Sequence, residues 1–175
     1  MKEDQIEIPL SKTKLWLGIV GSFIFLIIGI WMLASNISSN RYNPLIIKVV
    51  AIVAIIFFGA CGIFLVKKLF DKESGLIISK KGIFDNTSGV SIGLIIWDDI
   101  VDIQVQQIMA NKFITIHVKD PEKYIGKAKN KMMARIMKSN MNMSGTPISI
   151  SSNTLKYNFK NLNKLLIESY KKYKS

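Results

Sequence analysis

The side chains that could do covalent or acid–base chemistry are few. His117 is the only histidine and Cys61 the only cysteine in 175 residues. One histidine cannot build a multi-histidine metal cluster, and one cysteine cannot close an internal disulfide. Cys61 lies in an apolar run, where a thiol behaves as a small hydrophobe. The densest acidic group is Asp98, Asp99 and Asp102. Paired carboxylates can exchange protons or hold a hard cation. Directly after Trp97, however, Asp98 and Asp99 read as a turn, because aspartate side chains accept from nearby backbone N–H groups. Asp102 then falls on the polar side of the next strand. His117 falls mid-strand, opposite a face of isoleucines. Phosphate-binding glycine loops, a G-x-S-x-G elbow and a C-x-x-C pair are all missing from the sequence. The sequence therefore assigns no catalytic residue, no metal ligand and no cofactor site, and it reads as a non-enzyme.

A different chemistry stands out between residues 127 and 143, KAKNKMMARIMKSNMNM. Seventeen positions hold five cations, five methionines and no acid. Placed on one continuous helix over 123–138 at 100° per residue, Ile125, Ala128, Met132 and Ile136 cluster within about 80°. Lys123, Lys127, Lys131 and Lys138 fall opposite, Lys129 intrudes on the apolar face, and Arg135 lies at its border. Such a basic amphipathic helix suits an anionic lipid surface, where each nearby cation contributes about 1 kcal/mol. The candidate contact residues for lipid or a partner are thus Lys123, Lys127, Lys129, Lys131, Arg135, Lys138, Met132 and Ile136. Two other readings stand beside this one. The apolar face can pack on the domain and leave the lysines in water, or the methionines can meet a protein partner. Nucleic acid is a poor fit despite a net charge of +12, because no aromatic stacking platform accompanies the charge.

The elements that must position this segment begin with two apolar runs. Leu15–Ala34 is twenty residues without a charge, and Trp16 and Trp31 mark its ends. Leu45–Val66 carries only Lys48, one turn from its start, where an ammonium can snorkel to the headgroups. Each run is long enough to cross about 30 Å of hydrocarbon. The first is too long for the apolar core of a cleaved signal peptide. Lys12 and Lys14 precede span one, and Lys67, Lys68 and Lys72 follow span two. The connector 35–44 carries only Arg41. This charge bias predicts a multi-pass inner-membrane protein with both termini cytoplasmic. Residues 1–14 then form a cytoplasmic segment, 15–66 a transmembrane hairpin, and 67–175 a cytoplasmic domain with a basic insert at about 121–145.

Residues 67–175 carry 19 basic and 9 acidic residues, a local net charge of +10. Period-two patterning predicts strands over 75–79, 82–86, 90–97, 100–108, 113–119 and 147–151, with a further strand possible around Leu155 and Tyr157. Phe159, Leu162, Leu165, Leu166 and Tyr170 then repeat at helical spacing, with Asn158 as N-cap. Trp97 and the face through Phe113 and His117 are candidates for core or partner contact. The fold class is α+β, a partly open barrel or roll capped by a C-terminal helix.

The stretches GLIISKKGIFDN and GLIIWDDIVDI, with the ending PISISSNTLKYNFKNLNKLLIESYKKY, resemble the opening and close of a pleckstrin-homology-like domain. The chain as a whole resembles an uncharacterised family of bacterial two-span proteins that carry such a domain C-terminally. That resemblance implies a binding or scaffolding module at the inner leaflet, without enzyme activity. It also admits an accessory subunit of a larger membrane complex. It does not imply inositol-phosphate recognition, because Lys80 and Lys81 are followed by Gly82, Ile83 and Phe84, where the lipid-binding pattern places an arginine.

Overall fold

The computed structural model describes residues 5–35 and 43–174; most of the 35–44 connector, with Arg41, lies outside them. The chain divides into two compact units. One consists of the residues up to Ser11 together with those from Glu73 on, and the other is Lys12–Lys72.

The second unit holds two helices, α1 (Lys12–Ala34) and α2 (Pro44–Leu69). Asn43 caps α2 by accepting the Leu45 N–H, and Pro44 occupies the first turn, where no N–H partner is needed. Both helices extend a few residues beyond the predicted spans, and both are long and apolar enough to cross a membrane. They pack on each other through small residues. Gly29 lies against Ile55, Gly18 against Leu65, and Gly62 against the Ser22 hydroxyl. Phe25 and Phe58 stack with centroids 4.3 Å apart. Only about a tenth or less of either apolar stretch is buried, and most of their isoleucines and phenylalanines are exposed.

Among the described residues the first unit contains seven strands. A four-stranded antiparallel sheet runs in the order β1 (Ile6–Ile8), β2 (Leu76–Ser79), β3 (Gly82–Asp85), β4 (Gly93–Ile96). A three-stranded sheet follows, with β5 (Ile100–Ile108), β6 (Asn111–Val118) and β7 (Ile148–Ile150), also antiparallel. Alternation decides which side chains go inward. Leu76 and Ile78 on β2, and Ile114, Ile116 and Val118 on β6, are buried. Together with Trp97, Leu155, Leu162 and Leu166 they form one core. The closing helix α5 (Phe159–Tyr173) is capped by Asn158, which accepts the Asn161 N–H. Its Tyr170 hydroxyl donates to the Val101 carbonyl, fixing the helix at the start of β5. The β2–β3 turn depends on Gly82. At φ +155° an added Cβ would meet the Ile95 carbonyl oxygen at 2.0 Å, a backbone atom that cannot give way.

Three findings depart from the sequence expectation. First, the N-terminal segment is more than a leader before span one. Ile6, Glu7 and Ile8 pair with Ile78, Ile77 and Leu76 as an edge strand. The following residues continue along 154–156, through Lys156 N–H to Pro9 O and Ser11 N–H to Thr154 O. The helical hairpin is therefore an insertion between the first two strands of the sheet. Second, the expected strand near Leu155 is a single bridge to Leu10. Third, the basic insert is two helices, α3 (Pro121–Ile125) and α4 (Lys131–Ser144), rather than one. Asp120 caps α3 and Asn130 caps α4, accepting the Lys123 and Met133 N–H groups. The α4 helix ends at Gly145, which takes the left-handed conformation (φ +69°) suited to a helix C-terminus.

Because β1 supplies Ile8 to the core, the part of the chain after the hairpin is an incomplete domain. We expect a chain in which Lys12–Lys72 is replaced by a short Gly/Ser linker to be soluble, with one cooperative thermal transition. The 73–175 fragment alone should melt lower or aggregate, its β2 edge uncovered. Equal melting of the two would contradict this pairing.

Candidate functional site

The acidic group predicted near Trp97 separates in space by role. Trp97–Asp99 forms a single 3₁₀ turn between β4 and β5. Trp97 is buried, and its indole N–H donates to the Ser79 carbonyl at 2.8 Å; it is core. Asp98 is exposed. Asp99 does more than turn the chain. Its Oδ2 accepts from the Lys123 ammonium at 2.6 Å and the Tyr124 hydroxyl at 2.7 Å. The Tyr124 oxygen in turn accepts the Ile96 N–H. These bonds tie α3 to the β4–β5 turn. The Lys123 ammonium and then the Tyr124 hydroxyl hold the Asp99 carboxyl below the usual carboxylate range. Burial, then the hydrogen bond to Asp99, push the Tyr124 hydroxyl above the usual phenol range, so it stays neutral and donates. Asp102 accepts from the Gln104 amide and from the Ile103 N–H, and that Gln104 bond first keeps its carboxyl low.

His117 is half-buried on β6, opposite Asp102 in register, with Gly145 beside its ring. Its Nε2 is buried and makes no hydrogen bond to the described residues. Phe113 is likewise half-buried. Among the described residues no group of three or more His, Cys, Asp or Glu side chains is placed to hold a cation.

The basic segment gives the molecule its most distinctive surface. The break between α3 and α4 changes which residues share a face. Ile125 is buried beside Tyr124, and Ala128 packs against the core. On α4 the inward residues are Met133 and Met137, neither of which the continuous-helix reading placed inside. Met132 and Ile136 point outward, 72% and 37% exposed, and Met143, 56% exposed, continues their line. At 100° per residue these three lie within about 40° of one another and about 100° from the Met133–Met137 stripe.

The eight predicted contact residues fall into two groups. Lys123 is engaged by Asp99, and Lys127 sits over the Tyr124 ring at 4.5 Å. Both belong to the domain's own packing. Lys129, Lys131, Arg135 and Lys138 are exposed and are not paired with any of the described acids. On α4, Lys131, Arg135 and Lys138 flank the exposed ridge of Met132 and Ile136, and Lys129 lies just before the helix cap. Met143 was missed because it follows the predicted helical window. The stop signal at Gly145, the asparagine cap at 130 and Gly126 were all legible and would have set the right register.

The chain matches no protein-family model, no curated protein and no solved structure.

The Asp99 latch gives a signed pH dependence. Its proton is bound less readily in the folded state, so its contribution is present above the unfolded value and lost as pH falls through the lowered one. We expect Asp99→Asn to lower the thermal midpoint by a constant margin from pH 7 down to about pH 5. The two proteins should converge below about pH 4. A margin that persists undiminished at pH 3 would show that the charge is not what Asp99 contributes.

Proposed function

We propose that this chain is a membrane-anchored binding or scaffolding module, held at the cytoplasmic face of a bacterial inner membrane. The observation that carries the proposal is the outward-facing hairpin inserted between β1 and β2. Twenty-one large hydrophobic side chains of α1 and α2 are exposed. Leaving them in water would cost on the order of tens of kcal/mol, more than the roughly 5–15 kcal/mol by which a domain is stable. A bilayer removes that cost, and helices satisfy their own backbone groups there.

The insertion also bears on topology. Strands β1 and β2 pair in one sheet, yet one precedes the hairpin and the other follows it. Both flanks must therefore lie on the same side of any membrane the hairpin crosses. Lys12, Lys14, Lys67, Lys68 and Lys72 at those flanks favour the cytoplasmic side. By chain length, three residues join β1 to α1 and six join α2 to β2, so the reach is no more than about 10 and 20 Å. Such a double tether gives the domain a high effective concentration at the headgroups, where weak attractions suffice. A four-stranded and a three-stranded antiparallel sheet, sharing one core closed by a C-terminal helix, support the pleckstrin-homology-like reading. That fold serves as a binding scaffold, which fits a surface that presents Lys129, Lys131, Arg135 and Lys138 to solvent.

A second reading, an accessory subunit of a larger membrane complex, is favoured by one feature. An apolar trough of about 520 Å³ runs along the hairpin, lined by Ile19, Ser22, Phe23, Gly59, Gly62 and Ile63 among others. A partner's helix could lie in it. Co-purification of one other membrane protein in mild detergent, lost on Gly59→Leu, would favour this reading.

The anchoring proposal is tested by cell fractionation. The chain should stay in the membrane pellet through alkaline carbonate and yield to high detergent. Protease added to inside-out vesicles should remove the C-terminal domain, and protease added outside intact cells should not. Recovery in the carbonate supernatant would overturn the proposal.

A further inference from the structure

The hollow between Lys80, Lys81, Trp97 and Tyr173 is open to solvent, and among the described residues none that line it carries an unpartnered buried polar atom. On the outer face of the first sheet Ile77, Phe84 and Leu94 lie in one cross-strand row, but nothing there indicates what would cover it. The α4 face carries an inference further, because its charge selects its occupant.

We infer that α4 docks on anionic lipid, with Met132, Ile136 and Met143 entering the headgroup–acyl boundary and Lys129, Lys131, Arg135 and Lys138 meeting the phosphates. This deepens the proposed membrane module by naming what its basic face binds, and it rests on that reading. Three observations support it. The apolar stripe that packs α4 onto the domain, Met133 and Met137, is distinct from the exposed one, so the ridge is free to insert without unfolding the helix. The cations lie to one side of the ridge. On the helix, Lys131, Arg135 and Lys138 fall about 80–140° around from it, at the level where long stems can reach phosphates as the ridge enters. Finally, no acidic residue occurs from Lys123 through Gly145, so nothing on the segment repels an anionic surface or neutralises its charge. Methionine and isoleucine fit a lipid boundary without a shaped pocket. An acidic protein groove would meet the same charge, but the short double tether already holds the domain within reach of headgroups.

The test uses the full chain with Cys61→Ala and a single Ile136→Cys labelled with an environment-sensitive fluorophore. The protein is placed in nanodiscs of phosphatidylcholine alone or with phosphatidylglycerol. The expected result is a blue shift, and quenching by brominated lipid, in the anionic discs only. A label at Lys160→Cys on α5 should stay water-like in both. Changing Lys129, Lys131, Arg135 and Lys138 to Glu should abolish the shift, and Met132→Ser with Met143→Ser should weaken it. A water-like label at 136 in both discs, with the protein incorporated, overturns the lipid docking and leaves the anchoring intact. Shielding of the label in native membranes but not in anionic discs also overturns it, and assigns the face to a protein. Failure of the chain to enter discs at all overturns the anchoring reading itself.

Discussion

The arrangement of this molecule follows from one constraint. Two helices, α1 and α2, leave most of their branched aliphatic and aromatic side chains exposed. Both are long and apolar enough to cross a membrane, and apolar surface of that extent is costly to leave in water. Their mutual packing is close where glycine or serine permits it, at Gly18, Gly29 and Gly62, which is how helices associate when the hydrophobic effect does not drive them together. Apart from Lys48 near the start of the second run, the basic residues lie outside the apolar runs, most of them at the hairpin flanks and in the domain.

Inserting such a hairpin into a sheet couples the two parts. A domain appended after a second span would be held by one linker and could fold alone. Here Ile8 enters the same core as Leu76 and Ile78, so the sheet is complete only when residues before and after the hairpin meet. Pairing strands so far apart in sequence carries a loop-closure cost that grows only slowly with length. A hairpin that folds first in the bilayer would reduce that cost further, by bringing its own ends together. The latch of Asp99, Lys123 and Tyr124 plays a comparable part within the domain. It fixes α3 to the β4–β5 turn, and thereby sets where the polypeptide leaves for α4.

Long, uniform signals were legible in the sequence. The apolar runs gave both long helices to within a few residues, and period-two alternation gave the extents of β5 and β6 and the buried face of β6; on β5 an irregularity between Ile100 and Asp102 leaves Val101 and Val105 exposed. Asn158 and the leucines after it gave α5. Short or non-local features were not legible. Ile6-Glu7-Ile8 is too brief to show a period, and its partner lies beyond the whole hairpin. The basic segment was read as one helix because its lysines and methionines tolerate almost any register. Gly126 and Asn130 mark the break, and ignoring them rotated the predicted apolar face away from Met133 and Met137. Asp99 was read as a turn residue, which it is. Its bonds to Lys123 and Tyr124 belong to tertiary structure that local sequence does not encode.

The central claim is that α1 and α2 cross a bilayer while the sheet that brackets them stays in water. Polarised infrared spectroscopy with deuterium exchange, on the full chain in oriented bilayers, tests this most directly. The account predicts a helical amide band polarised along the membrane normal that resists exchange, with strand amides exchanging from the aqueous side. Exchange-labile helices lying parallel to the surface would contradict it.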